Sequence, residues 1–253
     1  GSAMTAEPLL ELKSMTKRFG GLTAVDQMNM TVEAGQIVGI VGPNGSGKTT
    51  TFACVSGFYK PEEGAVVLNG MDITGKHPFE IARLGIARTF QIVQSFEDMT
   101  VLDNVALGAL KPQSDGTSCS LDEAKDRANE VLRVVNLSAD SDKLSGALGI
   151  PGRKRLEIAR ALASRPQVLL LDEVMAGLRP VEVDQAVEMI QQIRSRGITI
   201  VVVEHLMRAV VALSEKLYVI HHGALLAEGY EAKEVLSRPE VVEAYFGKAA
   251  LDA

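Results

Sequence analysis

Apolar positions in this chain fall into short, nearly unbroken runs, each followed by a longer stretch in which they return at helical spacing. QIVGIV, Gln36–Val41, gives way to a helical pattern opening at Gly47; QVLLLD, Gln167–Asp172, to one opening at Pro180; ITIVVVE, Ile198–Glu204, to one opening at Leu206. Strands buried on both faces read as continuous apolar runs, so this alternation predicts parallel strands covered by helices in an α/β fold. Upstream, LLELKSMTKRF, MNMTVEAG and later AVVLNG have strand character with turn residues between them, and predict an antiparallel sheet at the N-terminal side. From about Ile92 to Ser164 the pattern is mainly helical, interrupted by KPQSDGTSCS, and Ser120 with Glu123 fits a capping box opening a helix over Leu121–Val135. No internal repeat is present.

Composition narrows the classes. A chain of 253 residues that is 46% hydrophobic is long enough to bury one sizeable core with a smaller appendage. Its net charge of -6 argues against a general nucleic-acid binder, since phosphate backbones reward a basic surface. Arg153-Lys154-Arg155 is a basic patch of local extent only. Cys54 and Cys119 are far apart, which disfavours a disulfide framework and favours a reducing, cytoplasmic setting, with Cys54 expected in the core. The opening GSAM, residues 1–4, reads as an expression remnant, and the residues after it lack the basic-then-apolar layout of a signal peptide. Every apolar run is far shorter than the ~20 residues a spanning helix needs, so the chain is not expected to cross a membrane.

GPNGSGKTT, comprising Gly42, Pro43, Asn44, Gly45, Ser46, Gly47, Lys48, Thr49 and Thr50, satisfies G-x-x-x-x-G-K-[ST] after a predicted strand and ahead of a predicted helix. Gly45 and Gly47 let the backbone curl so that its N–H groups surround β- and γ-phosphates, and the helix N-terminus adds positive potential. Lys48 brings a point charge to the same oxygens, while the Thr49 hydroxyl is a magnesium ligand. VLLLDE, Val168–Glu173, places two acids at the end of a buried strand. Asp172 is a candidate for holding Mg²⁺ directly or through water, and Glu173 for orienting or deprotonating the attacking water.

With these two motifs the chain resembles the nucleotide-binding subunit of an ABC transporter over nearly its whole length. The resemblance implies a P-loop NTPase core of ABC ATPase type with an N-terminal antiparallel β-subdomain and an inserted α-helical subdomain: one domain over residues 5–253, the helical part over about 92–164 and a helical tail over 229–253. TKRFGGLTAVD looks like the family's opening strands, with Phe19 where an aromatic ring stacks on adenine; a core phenylalanine is the competing reading. ARTFQIVQSFEDMTVLDNV looks like the segment whose glutamine reaches the magnesium and the attacking water and senses the membrane partner. Gln91 is that glutamine by the phase of RTFQ, with Gln94 as competitor. VVVEHLM supplies His205 where the family's histidine contacts the γ-phosphate, while His221 and His222 match no motif and read as strand-end surface. EVMAGLRP is similar to the loop that crosses between two subunits, except that Arg179 stands where Asp or Asn is usual.

The family's signature, a helix N-terminus that points at the ATP held by the opposite subunit, falls at Leu148–Gly152 when counted back from KRLEIARAL. Gly149 then takes the serine place and Pro151 a glycine place, with Ile150 and Gly152 completing it. The alternative LSGA, from Leu144, lies one turn too early and would put Gly149, Pro151 and Gly152 inside a helix, where they are costly. A helix start at Pro151 is the plain reading of that residue; in this register its missing N–H and the missing serine hydroxyl leave the phosphate-facing tip impaired, unless Arg153, Lys154 or the Gly152 N–H compensates.

GIARTFQ, KRLEIARAL, AGLRP and SRPEVVEAYFG bring the likeness closest to branched-chain amino-acid uptake subunits. The implied function is ATP hydrolysis powering solute import, with ATP and Mg²⁺ as cofactors. The implied partners are a second ATP-binding subunit, membrane permease subunits and, indirectly, a solute-binding protein, with no nucleic acid, at the cytoplasmic face of the inner membrane. The alternatives are an ATP-dependent switch with weak hydrolysis, or the ATPase of a urea or lipid transporter. Ile92, Val93 and Phe96 are expected to be exposed and to line a groove for a short helix of the membrane subunit.

Overall fold

The computed structural model describes residues 7–92, 94–110 and 118–247. Its contacts divide the chain into two compact units, Gly1–Pro78 with Thr199–Ala253 and Phe79–Ile198. Val93 and most of the KPQSDGTSCS stretch lie outside the described residues, as does the end of the tail.

In chain order the elements are β1 (Leu10–Phe19), β2 (Leu22–Val32), β3 (Ile37–Val41), α1 (Lys48–Val55), β4 (Glu63–Leu68), β5 (Met71–Asp72), α2 (Pro78–Arg83), β6 (Ile86–Arg88), α3 (Val101–Ala109), α4 (Leu121–Val134) and α5 (Ile150–Leu162). They continue as β7 (Val168–Asp172), α6 (Pro180–Ser195), β8 (Thr199–Val203), α7 (Met207–Leu213), β9 (Lys216–His221), β10 (Ala224–Gly229), α8 (Ala232–Ser237) and α9 (Pro239–Phe246). Of these, α2, β5 and β6 were not legible from pattern alone, each being too short to establish a period.

In the first unit the expected antiparallel sheet runs β2-β1-β4-β5, with Leu10 opposite both Val32 and Leu68. Parallel β3 lies between β8 and β9, pairing Ile37 with Ile200 and Val38 with Lys216, and β10 closes antiparallel on β9. All five residues of β3 and of β8 are buried, as continuous apolar runs require. Fully buried Tyr218 keeps its hydroxyl satisfied by accepting from the Thr31 N–H at 2.9 Å. Val235 of α8 and Val241 of α9 cover Val41, Leu217 and Val219.

In the second unit β6 and β7 pair in parallel, Ile86 with Val168 and Arg88 with Leu170. Helix α3 packs on both α4 and α5. Its approach to α5 depends on Gly108, where a Cβ would collide with the Arg160 carbonyl oxygen. Half of the expected capping box is present: the Ser120 hydroxyl accepts from the Glu123 N–H at 3.2 Å, and α4 ends at Val134 with Val135 as its cap. Among the described residues no helix is long and apolar enough to cross a membrane.

Candidate functional site

The glycine-rich loop leaves β3 and enters α1 as the motif requires. Gly45 (φ 78°) and Gly47 (φ 104°) take left-handed conformations that favour glycine. Gly47 is doubly constrained, because a Cβ there would stand 2.7 Å from the Ala24 carbonyl oxygen. At Gly42 an added Cβ would fill the space against the Ser46 hydroxyl and the Ile220 carbonyl. Lys48 is buried and its Nζ donates to the Gly42 carbonyl oxygen, so the ammonium is folded back over the loop. The Ser46 hydroxyl is buried without a hydrogen-bond partner, a cost that an oxygen-rich ligand in the loop would relieve. Asn44 and Thr49 are exposed, while Pro43 and Thr50 are half-buried. The loop is pinned from below, where the Gly223 N–H donates to the Ser46 carbonyl at 2.9 Å and the Gly223 carbonyl accepts from the Asp26 N–H at 2.7 Å.

In the same unit Phe19 ends β1 exposed, which sets aside the core reading. His205 follows β8, also exposed, with its N–H on Glu204 Oε1 at 3.1 Å. His221 and His222 sit at the β9–β10 turn as expected, with ring centroids 3.9 Å apart; partial burial and the neighbouring ring lower the His221 pKa.

The second unit holds the acids. Asp172 closes β7, its N–H donating to Thr89 Oγ1 at 3.1 Å and its Oδ2 accepting from Arg88 Nη2 at 3.2 Å. Neither Thr89 nor Arg88 was assigned a role from sequence; the pairing joins residues 84 positions apart. Glu173 follows with φ 51°, a left-handed conformation that a non-glycine residue adopts at a cost. Gln91 is exposed in the loop beyond β6, and Gln94 opens a short 3₁₀ turn, Gln94–Phe96. Gln91 and Ile92 line a cavity of about 240 Å³ whose other walls include Glu97, Ile150, Arg153 and Glu157. Ile92 and Phe96 both depart from the expected exposure, each being half-buried; the Arg160 guanidinium lies 4.9 Å from the Phe96 ring centroid, and the Phe96 carbonyl accepts from Ser145 and Asn104.

Helix α5 begins at Ile150 with Gly149 as a cap that carries no side chain to accept from the first turn. Pro151 therefore occupies the second helical position, one later than its preferred place. Ser145 belongs to a separate 3₁₀ turn, Ser145–Ala147, and spends its hydroxyl on the Phe96 carbonyl at 2.7 Å, so LSGA does not start the helix. Arg153 is engaged as well: Nε donates to the Leu148 carbonyl at 3.1 Å and Nη2 to the Gly146 carbonyl at 3.0 Å. Lys154 faces Glu157 at 3.8 Å. The loop after Glu173 reaches this helix start, since a Cβ on Gly177 would lie 3.5 Å from Ile150. Arg179 caps α6 and pairs with Glu182 at 3.0 Å.

A family model described as ABC transporter matches residues 25–176. The chain is 38% identical to the high-affinity branched-chain amino acid transport ATP-binding protein BraF of Pseudomonas aeruginosa, over 96% of this chain and all of that one. It is 36% identical to the LivG protein of the same description from Escherichia coli, with the same coverage. Among solved structures it is similar to a nucleotide-free ATP-binding cassette from an ABC transporter and to the ADP conformation of the cassette MJ1267. Both have TM-score 0.88 and 34% identity, over 96% of this chain and 100% of theirs. It is also similar to a dimeric post-hydrolysis state of the cassette MJ0796 bound to ADP and Pi, with TM-score 0.76 and 26% identity over 87% of this chain and 98% of that one.

Proposed function

Because the chain belongs to the ABC transporter family, we infer that it is the ATP-binding and ATP-hydrolysing subunit that powers import of branched-chain amino acids. The observation that carries this reading is the intact glycine-rich loop, with Ser46 unsatisfied and Lys48 folded over it, in a chain whose β7 ends in Asp172 with Glu173 directly after it. In the proposed cycle the loop N–H groups and Lys48 hold the β- and γ-phosphates of ATP, Phe19 receives the adenine, and His205 contacts the γ-phosphate. Glu173 orients the attacking water and takes its proton.

Thr49, Gln91 and Asp172 offer hydroxyl, amide and carboxylate oxygens, the hard donor set that suits Mg²⁺. The ion supplies charge neutralisation on the phosphates when bound. Arg88 holds one carboxylate oxygen of Asp172 and leaves the other for that task.

We read the chain as one domain over residues 5–253, with about 92–164 as its helical part. It pairs with a second cassette and docks peripherally on permease subunits at the cytoplasmic face of the membrane, a short permease helix entering the cavity beside Gln91 and Ile92. A second reading, a switch that closes on ATP and hydrolyses it slowly, is favoured by Gly149, Pro151 and Arg179. Steady-state ATP turnover of the purified chain, alone and with its permease pair in vesicles, separates the two. Glu173→Gln is expected to retain ATP and slow hydrolysis by orders of magnitude, and Lys48→Ala to lose phosphate binding. Native turnover in the Gln variant would remove Glu173 from the role of base.

A further inference from the structure

Phe19 does not stand alone at the end of β1. Its ring centroid lies 5.0 Å from that of Tyr59 at an interplanar angle of 77°, and the two residues are 42% and 43% exposed. The Lys17 ammonium sits over both rings, 4.9 Å from the Phe19 centroid and 5.6 Å from that of Tyr59. That ammonium is held in place: it donates to Glu62 Oε1 at 2.8 Å and to the Lys60 carbonyl at 3.2 Å. Glu62 is fixed in turn by the Arg18 N–H on its other oxygen at 2.7 Å and by its own N–H on the Thr16 carbonyl at 2.9 Å. The Tyr59 backbone N–H donates to the Ala53 carbonyl at 3.3 Å, which ties the main chain that carries this ring to α1, the helix that opens at Lys48.

We propose that Lys17 and Tyr59 are positioning residues for nucleobase recognition. Tyr59 fixes the plane of the Phe19 ring, and Lys17 occupies one face of that ring so that the opposite face takes an electron-rich purine. The proposal rests on the reading above that Phe19 receives the base. Aromatic faces carry negative charge, and two such faces repel when stacked squarely. A cation on one face draws the π density toward itself and leaves the other face less repulsive to adenine, so the gain scales with the area and electron density of the stacked base. Paired with Glu62, the ammonium is one end of a short dipole whose field falls steeply with distance, so it acts on the adjoining ring far more than on the triphosphate. The effect of Lys17 is therefore expected on the base and not on the phosphates.

Affinities of the purified chain for ATP, CTP and inorganic tripolyphosphate test this directly. Lys17→Met is expected to weaken ATP about threefold, to weaken CTP less and to leave tripolyphosphate unchanged, while Lys17→Arg restores ATP binding. The chain has four tyrosines and no tryptophan, so tyrosine emission is readable: ATP, and not tripolyphosphate, is expected to change it, and Tyr59→Leu to remove most of the response. Equal weakening of ATP and tripolyphosphate in Lys17→Met, or failure of Lys17→Arg to rescue, would reduce Lys17 to a structural ion pair. Unchanged ATP affinity in Lys17→Met would overturn the proposal outright. The underlying reading is checked separately by Phe19→Leu: if its ratio of ATP to tripolyphosphate affinity equals that of the native chain, the base does not sit on Phe19.

Discussion

Arg88 Nη2 stands 3.2 Å from Asp172 Oδ2, and both side chains are largely withdrawn from water. A shielded carboxylate that loses its cation keeps the desolvation penalty without the compensating hydrogen bond. Arg88→Ala is expected to lower unfolding stability by about 1.5–3 kcal/mol, and Mg·ATP to recover part of that by supplying positive charge at the same carboxylate. Denaturant titrations with and without Mg·ATP check it; a deficit of the same size in both conditions would mean that Asp172 is not near the bound ion.

The start of α5 yields a prediction with a definite sign. Gly149 offers no capping oxygen and Pro151 no N–H. Gly149→Ser with Pro151→Gly is therefore expected to strengthen ATP-driven dimerisation and raise turnover on the order of tenfold, equivalent to ~1.4 kcal/mol. Arg153 is occupied by the Leu148 and Gly146 carbonyls and is not expected to compensate. Arg153→Ala should instead loosen the preceding 3₁₀ turn at a cost of about 1 kcal/mol. Sedimentation with ATP and ATPase rates at fixed salt distinguish these outcomes, and unchanged behaviour of the double variant would show that the signature lies elsewhere.

Burial raises the Glu157 carboxyl pKa, opposed by Lys154. The folded chain thus holds this proton more tightly than the unfolded chain. The associated stability is fully present below the ordinary glutamate pKa of about 4.3 and is lost as pH rises through the higher folded value. Glu157→Gln stays neutral throughout, so its melting temperature should rise relative to the native chain as pH increases above the ordinary glutamate pKa of about 4.3. A difference that does not change with pH would contradict the account.

Cys54 is buried, and burial pushes its thiol up to about 11. At pH ~8 only on the order of one molecule in a thousand would carry its thiolate. Iodoacetamide is expected to modify the partly exposed Cys119 in the folded protein and both cysteines after denaturation, as peptide mass spectrometry would reveal.

Ile92 lines the cavity beside Gln91. Ile92→Asp is expected to abolish solute uptake by the assembled transporter while leaving ATP affinity within about twofold. A matching collapse of ATP binding would make Ile92 part of the core and not of the docking surface.

Local grammar made the glycine-rich loop, the two acids at the end of β7 and the antiparallel strands readable, because each depends on residues close together in the chain. The features that escaped reading depend on distance or on competition. The Arg88–Asp172 pair joins two strands through a register that no local pattern encodes. Ser145 has the chemistry of a helix cap, yet the Phe96 carbonyl claims its hydroxyl. Phe96 is expected at the surface, yet it is half-buried with the guanidinium of Arg160, remote in sequence, 4.9 Å from its ring centroid, a pairing that no local pattern encodes.

The junction beneath the glycine-rich loop has a consequence for how such a sequence can drift. The Ala24 carbonyl oxygen lies 2.7 Å from where a Cβ would stand on Gly47 and, equally, on Gly223. Three stretches of main chain remote in sequence are thus pressed together with no room for a side chain at either glycine. Both glycines also have positive φ, 104° and 81°, so relief of the clash alone would not free them. Positions 24, 47 and 223 are sterically coupled: a substitution at either glycine cannot be rescued by trimming a neighbouring side chain, since the obstacle is backbone.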